Sequence, residues 1–248
     1  MIELNFVYNE DTGDINNLYN VDSFVIGMSK CGTTTMQHSL RDPVIKYHSD
    51  FTLERVFGTK ELSTKLLLEE RGKIDRPFYV YVPYRNPVER KISQYYHYLN
   101  SVDKSNDTRI EQIKNYCLGD YSLFSKGSRT EVDEEMVFNN ILDSTGIDIL
   151  SYPFSSLGSV HLETGNLNLI PYVLDKIHYL GKYIESRIDR DFTLKIKRVT
   201  GDTNGLSYVK DNIKFTDEEL DIVYGSRYCK HFYSNSEIEL FKEKYRYE

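Results

Sequence analysis

Short apolar runs separated by polar, turn-rich stretches mark the first hundred residues of the chain. The runs at 24–28, 44–48 and 78–84 are rich in β-branched and aromatic residues, so we predict that each forms a buried strand. Between the first two runs, residues 33–40 are compatible with a helix that Asp42 and Pro43 would end. This part of the chain therefore predicts strand, helix and strand in succession.

A second helix is predicted behind the third run. Asn86 and Pro87 combine an N-cap residue with proline at the first helical position, which is a strong helix start signal. Apolar side chains then recur at helical spacing, so one face of this helix should be buried. These side chains are Val88, Ile92, Tyr95, Tyr96 and Leu99.

Later elements are predicted from weaker patterns, apart from two helix starts near the C-terminus. The S/T-x-x-E capping box occurs at Thr216 with Glu219 and at Ser234 with Glu237, and it predicts two final helices. The other expected elements are charged helices over 104–145, a strand at 146–154, a hairpin leading to a strand over 160–174, a helix at 175–188 and a short strand at 194–197.

The alternation of strands and helices favours an α/β fold, with a parallel sheet between two layers of helices. The chain has 248 residues and no linker-like stretch, so we expect a single domain over 1–248. We interpret the charged helices of 104–145 as an insertion or cap beside a ligand site. Because ligands bind at the carboxyl ends of parallel strands, the loops after the strands are the first candidates for a site.

Charge and cysteine content exclude several classes of protein. The chain carries 31 basic and 38 acidic residues, and its net charge of −7 argues against a general nucleic-acid binder. Cys31, Cys117 and Cys229 are odd in number and far apart, which suggests neither a disulfide framework nor a zinc site. The acidic N-terminus is unlike a secretory signal, and no apolar run approaches the ~18 residues of a membrane span. We therefore expect a soluble, cytoplasmic protein without a membrane span.

The turn from Gly27 to Thr34 has the setting of a phosphate-binding loop. A strand before it and a helix after it direct backbone N–H groups and the positive end of the helix at one anion. It is not a Walker A loop, because Thr33 stands where that motif needs lysine, and Lys30 precedes Gly32. We interpret the loop as a site for a phosphate-like group without magnesium. The alternative is an ordinary strand–turn–helix junction with Lys30 in solvent.

A second candidate anion site lies around Arg85 and Ser93. Arg85 ends the predicted strand 78–84, and Ser93 is two turns into the helix that follows. A guanidinium group and a hydroxyl that converge there could hold a second phosphate, with arginine binding in bidentate fashion. The alternative is that Arg85 forms a structural salt bridge and Ser93 is a surface residue.

Together these two segments resemble the family of sulfotransferases that use 3′-phosphoadenosine-5′-phosphosulfate (PAPS). The 5′-phosphosulfate loop of the family has the form P-K-x-G-T-T, which Ser29-Lys30-Cys31-Gly32-Thr33-Thr34 matches with serine in place of proline. The 3′-phosphate motif of the family has arginine at a strand end, often in R-N-P, and serine eight residues later, as in Arg85 and Ser93. The resemblance is specific over residues 22–100, and the segments 146–154 and 230–234 look like late segments of carbohydrate sulfotransferases.

The resemblance implies a P-loop nucleotide-kinase-like fold, PAPS as donor and adenosine 3′,5′-bisphosphate (PAP) as product. Arg85 and Ser93 would bind the 3′-phosphate. Residues 197–204 are a loose match to a third donor-binding loop, because the R-K-G signature of the cytosolic members is absent. The 5′ end of the donor would be bound by Ser29, Lys30, Cys31, Gly32, Thr33, Thr34 and Thr35.

Sulfuryl transfer requires an in-line acceptor oxygen, a base for its proton and positive charge beside the leaving phosphate. We assign the charge to Lys30. We assign the base to His48, which follows the second predicted strand and whose imidazole titrates near neutral pH. Asp50 and Glu54 remain competing carboxylate bases. The scheme requires no metal, and the histidines show no metal-ligand spacing.

Two other functions remain open. One is a nucleotide or small-molecule kinase with a degenerate loop, and the other is a non-catalytic protein that binds PAP. The resemblance to carbohydrate enzymes implies a saccharide hydroxyl as acceptor. His97 is interpreted as a helix-packing or acceptor contact, and His231 as part of the core near the C-terminus.

Overall fold

The computed structural model describes residues 7–8, 15–16, 21–40, 44–47, 63–99, 105–122, 134–154, 156–188, 192–195 and 205–247. The chain forms two compact units. The first unit contains Met1–Tyr84 and Val132–Arg198, and the second contains Arg85–Glu131 and Val199–Glu248. The segment predicted as a single insertion, 104–145, contributes one helix to each unit.

The first unit is built on a five-stranded sheet. Its strands are β3 (Ser23–Ile26), β4 (Val44–Tyr47), β5 (Phe78–Tyr84), β6 (Leu162–Thr164) and β7 (Leu167–Val173), in the order β4-β3-β5-β7-β6. All neighbours are parallel except β6, which is antiparallel to β7. The expected α/β class is therefore confirmed. Two short strands, β1 (Val7–Tyr8) and β2 (Ile15–Asn16), form a separate antiparallel pair.

The predicted strands at 24–28, 44–48 and 78–84 agree with β3, β4 and β5 within one or two residues. Most side chains of β3 and β5 are apolar and buried because the inner strands of a parallel sheet are covered on both faces. The predicted hairpin is also confirmed, since β6 and β7 are joined by a turn at Gly165 and Asn166.

The strand order reverses direction at β3. The next strand along the chain, β4, lies on one side of β3, whereas the following strand, β5, lies on its other side. In open α/β sheets, ligands bind in the crevice outside the carboxyl ends of two strands at such a reversal. The loop that begins at Gly27 leaves β3 at this position.

The ten α-helices of the described residues alternate with the strands and then form the C-terminal part of the chain. In chain order they are α1 (Thr33–Ser39), α2 (Thr64–Gly72), α3 (Pro87–Leu99), α4 (Asn106–Cys117), α5 (Glu134–Thr145), α6 (Ile177–Tyr183), α7 (Leu206–Asn212), α8 (Asp217–Tyr224), α9 (Arg227–Phe232) and α10 (Asn235–Tyr245). Helices α1, α2, α5 and α6 belong to the first unit and the others to the second. None of these helices has both the length and the apolar character needed to cross a lipid bilayer.

Both predicted capping boxes are present in the second unit. The Thr216 hydroxyl accepts a bond from the Glu219 N–H, while the Glu219 carboxylate accepts one from the Thr216 N–H. Ser234 and Glu237 repeat the arrangement at α10. These reciprocal bonds satisfy N–H groups that a helix start would otherwise leave without partners, so both helices begin where the sequence indicates.

Two predicted strands are not found in the described residues. The segment 146–154 contains a 3₁₀ turn at Ile149–Ser151, because the Asp148 carboxylate accepts bonds from the Leu150 N–H and the Ser151 hydroxyl and curls the chain. Leu194 and Lys195 carry no regular structure, and the remainder of the strand predicted at 194–197 lies outside the described residues.

Candidate functional site

The backbone of the loop after β3 adopts an uncommon conformation. Lys30 has φ 66°, and among the described residues it is the one non-glycine residue with a positive φ. Gly32, which directly precedes α1, has φ 85° and ψ 18°. Left-handed residues that alternate with right-handed ones turn successive N–H groups toward one side and form an anion-binding concavity. The conformation costs about 1–3 kcal/mol at a non-glycine residue, and such strain is concentrated at functional sites.

Two glycines let this loop lie against the ends of the neighbouring strands. A Cβ atom on Gly27 would lie 2.7 Å from the Cγ atom of Pro83 in β5, closer than van der Waals contact permits. A Cβ atom on Gly32 would collide with the side chain of Leu174, which follows β7. The path of the loop therefore depends on the absence of side chains at these two positions.

The loop side chains divide into a buried set and a partly exposed set. Cys31 is fully buried, and Thr33 and Thr35 are 4% and 8% exposed, so these three contribute mainly through their backbone groups. Ser29, Lys30 and Thr34 are partly exposed. These last three are the side chains of the predicted loop site that can reach a ligand.

A second lysine lies beside the loop. The Nζ atom of Lys46 in β4 donates a hydrogen bond of 3.2 Å to Oγ1 of Thr34 in α1. Lys46 is not among the site residues predicted from the sequence. The sequence feature that could have identified it is a single lysine within the otherwise apolar run Val44–Tyr47, and this lysine is partly exposed in the structure. With Lys30, this places two lysines in the loop and in the strand next to it.

These features suit a phosphate-like anion bound through backbone N–H groups, hydroxyls and ammonium groups. Helix α1 has only seven residues, so its dipole is a minor contribution beside the loop backbone and the two lysines. The proposed bases His48, Asp50 and Glu54 lie outside the described residues, and so does the loose match to a third donor loop at 197–204.

In the second unit, Asn86 fixes the start of α3. Its Oδ1 atom accepts bonds from the N–H groups of Val88 and Glu89 at 3.0 and 3.2 Å, and from the Tyr224 hydroxyl at 3.3 Å. Asn86 is 2% exposed. The predicted cap is therefore confirmed, and it is also tied to α8 by Tyr224.

Arg85 and Ser93 flank a glutamate on one side of α3. Glu89 and Ser93 are four residues apart within α3 and therefore share a helix face, whereas Arg85 lies two residues before the helix begins. Nη2 of Arg85 lies 3.7 Å from Oε2 of Glu89, with the arginine side chain 19% exposed. Ser93 is partly exposed. The salt bridge that was the structural alternative for Arg85 is thus present, beside the face that would bind an anion.

Glu89 is the centre of an ionic cluster. Its Oε1 atom accepts a bond of 2.7 Å from the Lys244 ammonium and another of 2.7 Å from the Tyr245 hydroxyl. Its Oε2 atom lies 3.7 Å from Nζ of Lys210 and 3.7 Å from Arg85. Burial alone would raise the pKa of Glu89, but the bonds from Lys244 and Tyr245 and the charges of Lys244 and Lys210 outweigh it and lower the pKa to about 2.

This depressed pKa predicts a pH-dependent stability difference for Glu89→Gln. The folded-state pKa is below the unfolded value, so the stabilisation is present above the unfolded pKa and is lost as pH falls through about 2. We expect the variant to be less stable than wild type by about 2 kcal/mol at pH 7, a value reduced for partial exposure. Less than half of that difference should remain near pH 3, as measured by urea unfolding across the pH range.

The matched control is Glu243→Gln, which removes an exposed carboxylate from α10. This change should alter the free energy of unfolding by less than about 0.5 kcal/mol. A Glu89→Gln difference that stays constant between pH 3 and pH 7 would show that the ionised carboxylate is not the source of the stabilisation.

The two other histidines discussed above lie in helices of the second unit. His97 is exposed in α3, and His231 is partly buried with its ring 5.1 Å from that of Phe232.

In the comparisons with known proteins, no family model, curated protein or solved structure matches this chain.

Proposed function

We propose that this protein is a sulfotransferase that moves the sulfuryl group of PAPS onto a hydroxyl acceptor. The observation that carries the proposal is the conformation of the loop after β3. Lys30 in this loop has φ 66°, and Thr34 at the start of α1 accepts a hydrogen bond from the Lys46 ammonium group. The loop combines the K-x-G-T-T sequence with a backbone suited to a tetrahedral anion. It follows the strand at which the order of the sheet reverses.

The donor set of this loop fits a phosphosulfate. Two ammonium groups, the hydroxyls of Ser29 and Thr34 and the backbone N–H groups offer only positive charge and hydrogen-bond donors to an anion. Glycine at positions 27 and 32 keeps side chains away from the neighbouring strand ends. We assign the 5′ end of the donor to Ser29–Thr35, with Lys30, Ser29 and Thr34 as its side-chain contacts.

In the proposed mechanism, the donor supplies the sulfuryl group, and its departing phosphate oxygen takes the electron pair of the broken sulfur–oxygen bond. Lys30 stabilises the negative charge that grows on this oxygen, and Lys46 adds a second positive charge beside Thr34. The base, His48 or one of the carboxylates Asp50 and Glu54, accepts the proton of the acceptor hydroxyl as its oxygen bonds to sulfur. The products are a sulfate ester and PAP.

The 3′-phosphate of the donor is assigned to Arg85 and Ser93. Arg85 directly follows β5 in the chain, and Ser93 lies four residues after Glu89 on the same face of α3. The charge of Glu89 between them would repel a phosphate, but Lys210 and Lys244 counter it. The guanidinium group of Arg85 and the hydroxyl of Ser93 would donate the hydrogen bonds to the phosphate.

A binding comparison tests this assignment without knowledge of the acceptor. We expect PAP to bind at least about tenfold more tightly than AMP, because charge-assisted bonds to the 3′-phosphate contribute about 1.5–3 kcal/mol. The isomer adenosine 2′,5′-bisphosphate has the same charge and should bind no better than AMP. Isothermal titration calorimetry measures all three, and PAP should also raise the melting temperature most.

Arg85→Ala should remove the preference for PAP over AMP, whereas Arg227→Ala, which changes an exposed arginine of α9, should leave it unchanged. Equal affinities of the wild type for PAP and AMP would refute the 3′-phosphate site. Magnesium-dependent turnover of ATP would instead favour a kinase.

We propose a saccharide as the acceptor, because segments 146–154 and 230–234 resemble those of carbohydrate sulfotransferases. A transfer assay with labelled PAPS against panels of saccharides, phenols and tyrosine peptides tests this choice directly. Transfer to phenols or tyrosine peptides alone would overturn it.

A further inference from the structure

The two oxygens of Glu89 have different surroundings. Oε1 accepts two bonds of hydrogen-bond length, from Lys244 and Tyr245. Oε2 faces Arg85 and Lys210, each at 3.7 Å, which is longer than a charge-assisted hydrogen bond of about 2.7–2.9 Å. Lys244 is therefore bound closely by the carboxylate, whereas Arg85 and Lys210 are oriented by it at a greater distance.

This cluster carries more positive than negative charge. Arg85, Lys210 and Lys244 surround one carboxylate. Burial alone would raise the pKa of Glu89, but the bonds from Lys244 and Tyr245 and the charges of Lys244 and Lys210 lower it to about 2, so Glu89 is ionised at neutral pH. The charges of these four groups leave a positive excess that matches a phosphate monoester, which carries about two negative charges near pH 7.

The fold holds Lys210 firmly in this position. Its helix, α7, is anchored by Leu206 and Val209, which are 5% and 0% exposed. Gly205 before α7 has φ 79°, and a Cβ atom there would collide with the amide group of Asn106 in α4. The side chain of Lys210 is 37% exposed, so its ammonium group can meet a ligand from solvent.

We propose that Lys210 is a second cationic ligand of the 3′-phosphate, beside Arg85, and that Glu89 positions both side chains for it. The inference rests on the proposed function, because it adds a residue to the donor site described there. Arg85 and Lys210 lie at equal distances from one carboxylate oxygen and are therefore neighbours, close enough for one phosphate group to contact both. Lys210 follows residues 197–204, the loose match to a third donor loop, and neither the K-x-G-T-T loop nor the R-N-P motif includes it.

The test measures the affinities of PAP and AMP by calorimetry for the wild type and for variants at position 210. Lys210→Ala should weaken PAP binding about tenfold, the loss of one charge-assisted contact, and change AMP binding by less than about twofold. Lys210→Arg should retain most of the preference for PAP. Lys210→Gln, which keeps much of the aliphatic stem, should behave like the alanine variant.

The matched control is Lys230→Ala, which removes one positive charge from an exposed site on α9 in the same unit. It should leave both affinities within about twofold of wild type, so that an effect of net charge alone is separated from direct contact. The alanine variant should remain folded, since Glu89 keeps its bonds from Lys244 and Tyr245.

The outcomes separate this inference from the proposed function. If Arg85→Ala abolishes the preference for PAP while Lys210→Ala and Lys210→Gln retain it, the role of Lys210 is refuted and the donor site stands. If Lys210→Ala weakens PAP and AMP equally, the role at the 3′-phosphate is likewise refuted. If the wild type shows no preference for PAP, the donor site and the role of Lys210 fall together.

Discussion

Replacing Lys30 with glycine or alanine should reduce sulfuryl transfer by about 10²–10³-fold, because each variant lacks the ammonium group that stabilises the leaving phosphate oxygen in the proposed mechanism. The two variants should differ in stability. Lys30 has φ 66°, which glycine adopts without strain and alanine does not. We therefore expect Lys30→Gly to be more stable than Lys30→Ala by about 1 kcal/mol, with similar loss of transfer.

This pair separates catalysis from folding. The measurements are transfer from labelled PAPS to the best acceptor of the panel, and the melting temperature of each variant. Lys182→Ala, at an exposed position of α6, serves as the control and should transfer at the wild-type rate. Wild-type transfer by a folded Lys30→Gly variant would remove Lys30 from the mechanism.

Replacing Arg71 with alanine should destabilise the protein by about 3–5 kcal/mol, the largest effect on stability that we expect. The Arg71 side chain is fully buried in α2 and donates bonds to the carbonyl groups of Val21 and Pro77 and to the Asp22 carboxylate. Its loss would leave buried acceptors without a partner, and each such acceptor costs about 1–3 kcal/mol. Urea unfolding measures the change.

Arg76 provides the matched control, because it pairs with the same carboxylate. Its Nη2 atom lies 2.6 Å from Oδ1 of Asp22, but its side chain is 45% exposed. An exposed ion pair contributes less than about 1 kcal/mol, so Arg76→Ala should be mild. If the two alanine variants proved equally stable, burial would not be what makes Arg71 important.

The sequence predicts the elements whose signals are local. The strands at 24–28 and 78–84 are compact apolar runs, and the helix starts at Asn86, Thr216 and Ser234 depend on residues within three positions of the cap. Such signals require no knowledge of the rest of the fold, and the structure confirms them. The strand predicted at 146–154 was wrong because the capping bonds of Asp148 act over the same short distance and favour a turn.

The contacts around the candidate site are less predictable, because they join segments that are far apart in sequence. Lys46 reaches Thr34 twelve positions away, and Lys244 reaches Glu89 at a separation of 155. The sequence shows Glu89 only as an acidic residue in the first turn of a helix, where it is favourable beside the helix dipole. Its second role is to pair with the charges of Arg85, Lys210 and Lys244. This role depends on how α7 and α10, which carry the two lysines, pack beside α3.

The short strand β6, at one edge of the sheet, affects how the sheet can pair with strands of other molecules. An open sheet edge carries unpaired N–H and C=O groups, to which a strand of a second molecule can add. Here β6 has three residues, and Glu163 and Thr164 are exposed. Further along the same side of β7, bonds between Val160 and Pro171 and between Gly158 and Val173 occupy the backbone. Within the described residues, this side of the sheet therefore offers a second molecule a short strand with an exposed glutamate, which disfavours self-association by strand addition.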